Sequence, residues 1–201
     1  MPILHAWRLA AWDTPLWVNP NRSEGRFNAD GAGPVQYWCL HPLTPWAEHL
    51  RAHGIDSPER LGHLRLRLWV ARFDVDPAVV GFSDASRHRL DPDDLVGDDH
   101  AACQGLGARC LAGDGPAIIE VPSAALPGTR NLVLFGPRVA APFSAEPVDG
   151  VDIPATVAAE GAHPLIGLLG SVRHRGQPHA ELDAWRRGAR FRFAEPATPL
   201  A

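Results

Sequence analysis

The chain has 201 residues, enough for one domain with a sizeable core and little more. Apolar residues make up 45% and charged residues 21%, which excludes a disordered chain. All nineteen basic side chains are Arg and the formal net charge is −4, which excludes Schiff-base and P-loop chemistry on a lysine and argues against direct binding to nucleic acid or an anionic membrane.

In chain order, the apolar run from Pro2 to Leu9, ending Trp7-Arg8-Leu9, predicts an edge strand. Ala10 to Pro34 is a long irregular stretch. Loops of that length are uncommon in compact domains and are usually functional or disordered; Trp7, Trp12 and Trp17 in or near it favour order. Val35 to Leu40 predicts a strand. A helix follows, with Thr44 as its cap, Pro45 at its first position and Gly54 as its stop. A short second helix starts at Ser57-Pro58-Glu59. Leu64 to Val75 places Leu64, Leu66, Leu68 and Val70 on one face and Arg65 and Arg67 on the other, a half-buried strand. Asp91 to Asp99 holds five aspartates and reads as a solvated loop ending in a helix cap. The helix His100 to Ala112 then stops at Gly113. Pro116 to Val121 and Asn131 to Phe135 are strands joined by the connection Pro122 to Gly128. Beyond Phe143 the chain turns rich in Pro, Ala and Gly, with six arginines between Arg173 and Arg192 that read as a solvated face. A helix over Ala180 to Arg187 and a short strand Arg190 to Phe193 are expected there. Short strands and segregated helices without βαβ alternation predict an α+β fold, with a core over 1–143 and a C-terminal extension over 144–201 packed on or beside it.

Several residues offer chemistry. Gly25-Arg26-Phe27-Asn28 places an Arg and an Asn beside a glycine, as a backbone approaching a ligand would; a guanidinium binds phosphate bidentately and keeps its charge when desolvated. A turn with Arg26 stacked on an aromatic ring is the plainer alternative. Tyr37, the one tyrosine, sits mid-strand and reads equally as a core residue. Glu48 falls in the first turn of its helix, where the dipole favours a carboxylate. Ser123 reads as a turn residue and lacks the GxSxG context of a nucleophile. His49 and His53 share a helical face, with His41 nearby, but the sequence is not HExxH and no metal is expected. Cys39, Cys103 and Cys110 form no CxxC pair. With no apolar run of about 20 residues and no signal-peptide pattern, a reduced cytoplasm is the expected compartment.

Together, Trp7-Arg8-Leu9, Gly25-Arg26-Phe27-Asn28, Gly31, Val35-Gln36-Tyr37, Ala47-Glu48 and Val121-Pro122-Ser123, followed by Asn131-Leu132-Val133-Leu134, resemble the RES domain family over roughly residues 4 to 143. That family is named for an Arg, a Glu and a Ser. The resemblance implies an ADP-ribosyltransferase-like fold, with small mixed and antiparallel sheets flanked by helices, that acts on NAD. Characterised members degrade NAD, and several are toxins neutralised by an antitoxin with a helix-turn-helix domain. Carried over by position, Arg26, Tyr37, Glu48 and Ser123 form the catalytic site, and Arg8, Arg26, Asn28, Tyr37 and Asn131 hold the dinucleotide.

This set suits cleavage of the nicotinamide–ribose bond. Ordinary glycosidases need a second carboxyl group to protonate the leaving group, whereas nicotinamide leaves as a neutral molecule. One carboxylate, Glu48, then suffices to steady an oxocarbenium ion. Arg26, with Arg8, would meet the pyrophosphate, and Tyr37 would stack on nicotinamide or ribose. Water as acceptor makes a glycohydrolase, and inorganic phosphate as co-substrate makes a phosphorylase; no other cofactor is required. A transferase or biosynthetic NAD enzyme and a non-catalytic nucleotide- or partner-binding domain are the alternatives, and a homo-oligomer is left open.

Overall fold

The computed structural model describes residues 3–10, 24–136, 145–146 and 155–196. Trp12, Trp17 and the first part of the long irregular stretch lie outside the described residues. The strands are β1 (Ile3–Leu9), β2 (Val35–Cys39), β3 (Leu66–Asp74), β4 (Ala78–Val79), β5 (Ile118–Pro122), β6 (Arg130–Phe135), β7 (Ala145–Glu146) and β8 (Ala155–Ala162). The helices are α1 (Thr44–His53), α2 (Pro58–Gly62), α3 (Ala101–Leu111) and α4 (Ala180–Arg186).

The strands make one sheet in the order β4-β5-β6-β2-β1-β3-β7, with β8 also paired to β3. Every pairing is antiparallel except the parallel β4–β5 contact, so the sheet is mixed. The register sets Cys39 opposite Asn131, and Asn131 opposite Val121. Because paired residues share a face, Tyr37, Cys39, Asn131 and Val121 project together. On that face Val35, Val133, Phe135, Ile119 and Val121 pack with Cys103, Leu106 and Cys110 of α3. The opposite face carries Ala6, Trp38, Phe73, Leu132 and Leu134, with Trp38 edge-on to Phe73 at 5.0 Å between centroids. A third cluster seats Trp46, Ala47 and Leu50 of α1 on Leu68, Ala125, Leu126 and Leu168.

The predicted helix ends are largely present. Gly54 caps α1 in the left-handed region at φ 59°, and the Ser57 hydroxyl accepts from the Arg60 N–H at 3.4 Å. Thr44 is not the cap of α1. That position falls to Leu43, and the buried Thr44 hydroxyl donates to the Thr129 hydroxyl at 2.9 Å. Glu48 accordingly lies beyond the first turn of α1, out of range of a dipole argument.

Three other expectations are corrected. β3 is not half-buried: its alternation holds, with Leu66 and Leu68 facing the α1 cluster, but Trp69, Ala71 and Phe73 on the opposite face are buried as well, so both sides of β3 are covered. The aspartate loop is not simply solvated. Leu95 and Val96 are fully buried, and its carbonyls and the Asp98 carboxylate receive arginines from three other segments. Arg190–Phe193 forms no strand. The strand contributed by residues 155–162 gave no clear signal in its Ala-rich sequence, yet it lies on β3, the strand next to β1. Among the described residues no helix is long and apolar enough to cross a membrane.

Candidate active site

Helix α1 has two working faces. Trp46, Ala47 and Leu50 are buried in the core, while Pro45, Glu48, His49 and Ala52, spaced for one side of a helix, line a cleft of about 390 Å³. That volume falls within the usual range for small-molecule sites. The far wall is the sheet face bearing Tyr37, Cys39, Asn131 and Val133, and the turn Gly25–Phe27 closes one end.

Glu48 is held through one oxygen. Its Oε1 accepts from the Ser123 hydroxyl at 2.8 Å and from the Asn131 amide at 2.8 Å. Both contacts fall on Oε1, which leaves Oε2 to the cleft. The Ser123 hydroxyl oxygen also accepts from the N–H groups of Ala125 at 3.2 Å and Leu126 at 3.0 Å, so it is fully engaged inside the protein. Ser123 is 0% exposed, and its hydroxyl meets the cleft through the bond to Glu48.

The Gly25–Asn28 turn is closed by Gly25 N–H to the Asn28 carbonyl at 2.8 Å and Asn28 N–H to the Gly25 carbonyl at 3.3 Å. The Tyr37 hydroxyl clips it to β2, accepting from Phe27 N–H at 2.9 Å and donating to Asn28 Oδ1 at 2.8 Å. A Cβ at Gly25 would stand 2.7 Å from Asn28 Oδ1 and 2.9 Å from the Tyr37 hydroxyl, so only glycine permits this approach. Arg26 extends from the turn and donates to the carbonyls of Asp94 at 2.9 Å and Gly97 at 2.7 Å. These acceptors are neutral, and no carboxylate pairs with Arg26 among the described residues; its position is fixed while its charge is kept.

Of the seven residues singled out from sequence, Arg8, Arg26, Tyr37, Glu48 and Asn131 line the cleft. Asn28 and Ser123 stand buried behind its wall. The Arg8 guanidinium lies over the Trp38 ring, 5.9 Å from its centroid. His41 bonds to Glu195 at 2.9 Å while His49 and His53 stack with centroids 4.1 Å apart, and no group of three metal-ligating side chains forms among the described residues.

Sequence reasoning missed Arg51, His100 and Arg175, which also line the cleft. Arg51 is buried and pairs with Asp98, which also pairs with Arg173. Two buried polar atoms without a protein partner, Arg51 Nε and Asn131 Oδ1, belong to cleft residues. An unpaired buried group costs about 1–3 kcal/mol, and such groups gather where a ligand supplies the missing partner. The Cys39 thiol also lines the cleft, where burial first and the nearby Glu48 second raise its pKa well above the ordinary thiol value.

His49 provides a pH handle. Burial, then the neighbouring His53, pushes its pKa down from 6.5 to about 4. Between those values the unfolded chain binds a proton that the folded one does not, so stability falls as pH drops through this window. Burial lowers His100 and His179 too, adding to the same trend. His49→Gln is expected to flatten the fall of the denaturant midpoint across this window relative to wild type; identical slopes would remove His49 as a cause.

The RES domain profile matches residues 5–157. The chain belongs to the RES family. Its fold is similar to that of a chain of the M. tuberculosis MbcT–MbcA toxin–antitoxin complex, at 17% identity and a TM-score of 0.52, covering 85% of this chain and 89% of that one. No curated protein matches the sequence. The RES profile takes in Arg26, Tyr37, Glu48, Ser123 and Asn131 and ends before the turn that carries Arg175.

Proposed function

We propose that this RES protein consumes NAD by breaking the bond between nicotinamide and its ribose, with water or inorganic phosphate receiving the ADP-ribosyl group. The observation that carries the reading is Glu48: one carboxylate, held through Oε1, with its other oxygen turned to a cleft that also contains the tethered Arg26. Departure of neutral nicotinamide from a cationic ring needs no acid. It needs a fixed negative charge beside the ribose as positive charge spreads over C1 and the ring oxygen, and a carboxylate that need not reorganise supplies it most effectively. Arg26 would receive a pyrophosphate oxygen with its charge undiminished. The Tyr37 hydroxyl is committed to the Gly25–Asn28 turn, so its ring is the part that would meet nicotinamide or ribose.

Family membership and the likeness to a chain from a toxin–antitoxin complex support a toxin role, with an antitoxin as protein partner and the cytoplasm as site of action. Asn131, Arg8 and, through the Tyr37 clip, Asn28 would complete the dinucleotide site.

Incubation of the protein with NAD, with and without phosphate, followed by mass analysis tests this directly. Free nicotinamide is expected in both samples, with ADP-ribose marking water as acceptor and ADP-ribose 1″-phosphate marking phosphate. NAD binding without any release of nicotinamide would replace the enzyme reading with that of a nucleotide-binding domain.

A further inference from the structure

We propose that the turn Arg173–Gln177, which follows the segment matched by the RES profile, is part of the ligand site, and that Arg175 on it binds a phosphate group of the ligand at the mouth of the cleft. The identity of that ligand as a dinucleotide rests on the NAD reading above.

The turn is built to hold a shape. The backbone N–H of Arg173 donates to the Ala125 carbonyl at 2.8 Å, in the connection that begins with Ser123. The Arg173 side chain is buried; it donates to the Val96 carbonyl at 2.8 Å, to Asp98 at 3.2 Å and, through Nε, to the Gln177 carbonyl at 2.8 Å. His174 N–H donates to Gln177 Oε1 at 3.0 Å, and Gly176, at φ 79°, gives its N–H to Asp98 Oδ2 at 2.6 Å. The turn is thereby fastened both to the connection that positions Glu48 and to the loop that receives Arg26.

What this scaffold presents is Arg175. It lines the cleft and is exposed, and no hydrogen bond or ion pair engages it among the described residues. Asp98, the acid that fastens the turn, is already shared by Arg51, Arg173 and the Gly176 N–H. His100 lies in the same cleft wall as Arg26, Arg51 and Arg175, and burial first and then these three guanidinium groups disfavour its cation. Glu24 and Glu48 are the acids that oppose them in the cleft lining. A cluster of this sign, one member of which has no protein partner, suits the two charges of a pyrophosphate. A guanidinium on a pre-formed turn also loses less freedom on binding than one on a loose tail.

The test measures NAD turnover and calorimetric binding of ADP-ribose for the full chain and for Arg175→Ala and Arg175→Lys, at low and at roughly 0.5 M salt. At low salt Arg175→Ala is expected to raise both KM for NAD and Kd for ADP-ribose about tenfold, as loss of a charge-assisted contact should. Arg175→Lys should recover part of the loss. The gap between wild type and Arg175→Ala should narrow at high salt, where the interaction is screened and a merely structural defect would persist. Wild-type KM and Kd in Arg175→Ala, from a protein that does consume NAD, would overturn this inference and leave the NAD reading standing. A wild-type chain that neither consumes NAD nor binds ADP-ribose would overturn both.

Discussion

Glu48→Gln is expected to lower nicotinamide release about 10²–10³-fold, the loss seen when a group that stabilises developing charge is removed. The glutamine carbonyl can still accept from the Ser123 hydroxyl and the Asn131 amide, so the melting temperature should stay close to that of wild type. What changes is the side turned to the cleft, where an amide N–H₂ replaces an anionic oxygen beside a ribose that is becoming cationic. Glu48→Ala separates the two roles. It removes the same charge, but it also strips the acceptor from two donors, at about 1–3 kcal/mol for each group left unpaired. For a domain of this size that is a drop of several degrees in melting temperature, at roughly 2–4 °C per kcal/mol. Turnover and calorimetric melting of the two variants together therefore distinguish a charge effect from a packing effect. Wild-type turnover in Glu48→Gln would remove Glu48 from the chemistry.

The parts of this site that were legible in the sequence are those written in local pattern. Pro45 and Gly54 bracket α1, the segments Val35 to Leu40 and Asn131 to Phe135 mark β2 and β6, and the run Gly25-Arg26-Phe27-Asn28 marks a turn that must come close to something. The parts that were not legible depend on partners far along the chain. The aspartate run reads as solvated because its composition is acidic, but the groups that receive Arg26 are the carbonyls of Asp94 and Gly97, and a backbone acceptor leaves no trace in residue type. Arg173 and His179 belong to a Pro- and Ala-rich tail, yet both are buried; His179 Nε2 lies 2.9 Å from the Ser123 carbonyl. Glu181, also buried, accepts from Gly128 N–H at 2.9 Å and pairs with Arg130 at 2.7 Å. The tail therefore packs on the connection that holds Glu48. The partner of Ser123 was illegible for a related reason: a serine between proline and alanine has the same signature whether its hydroxyl faces a ligand or a neighbouring carboxylate.

Two glycines in the middle of α3 show how closely the turn that bears Arg26 is seated. Each would ordinarily weaken a helix by about 0.5–1 kcal/mol relative to alanine. Gly105 has nothing within 4 Å of where a Cβ would stand, so Gly105→Ala is expected to raise the melting temperature by about 1–4 °C. Gly107 differs. A Cβ there would lie 1.8 Å from the Phe27 carbonyl oxygen and 2.7 Å from its carbon, both backbone atoms with no side-chain freedom to yield. Gly107→Ala therefore gains helix propensity and loses far more to overpacking, typically about 1–3 kcal/mol net against it, or a fall of about 2–12 °C. The strain cannot be absorbed quietly, because the turn is fixed from both sides. Gln104 of α3 donates to the Gly25 carbonyl at 3.2 Å, and the Tyr37 hydroxyl holds Phe27 N–H and Asn28 from β2. Pushing α3 away shifts Arg26 relative to Glu48, and a displacement near 1 Å is enough to cost about 10²-fold in rate. Melting and nicotinamide release for the Gly105→Ala and Gly107→Ala pair check this, with opposite signs expected in stability from one helix; equal stability in the two variants would mean that α3 does not pack on the Phe27 backbone as the structure has it.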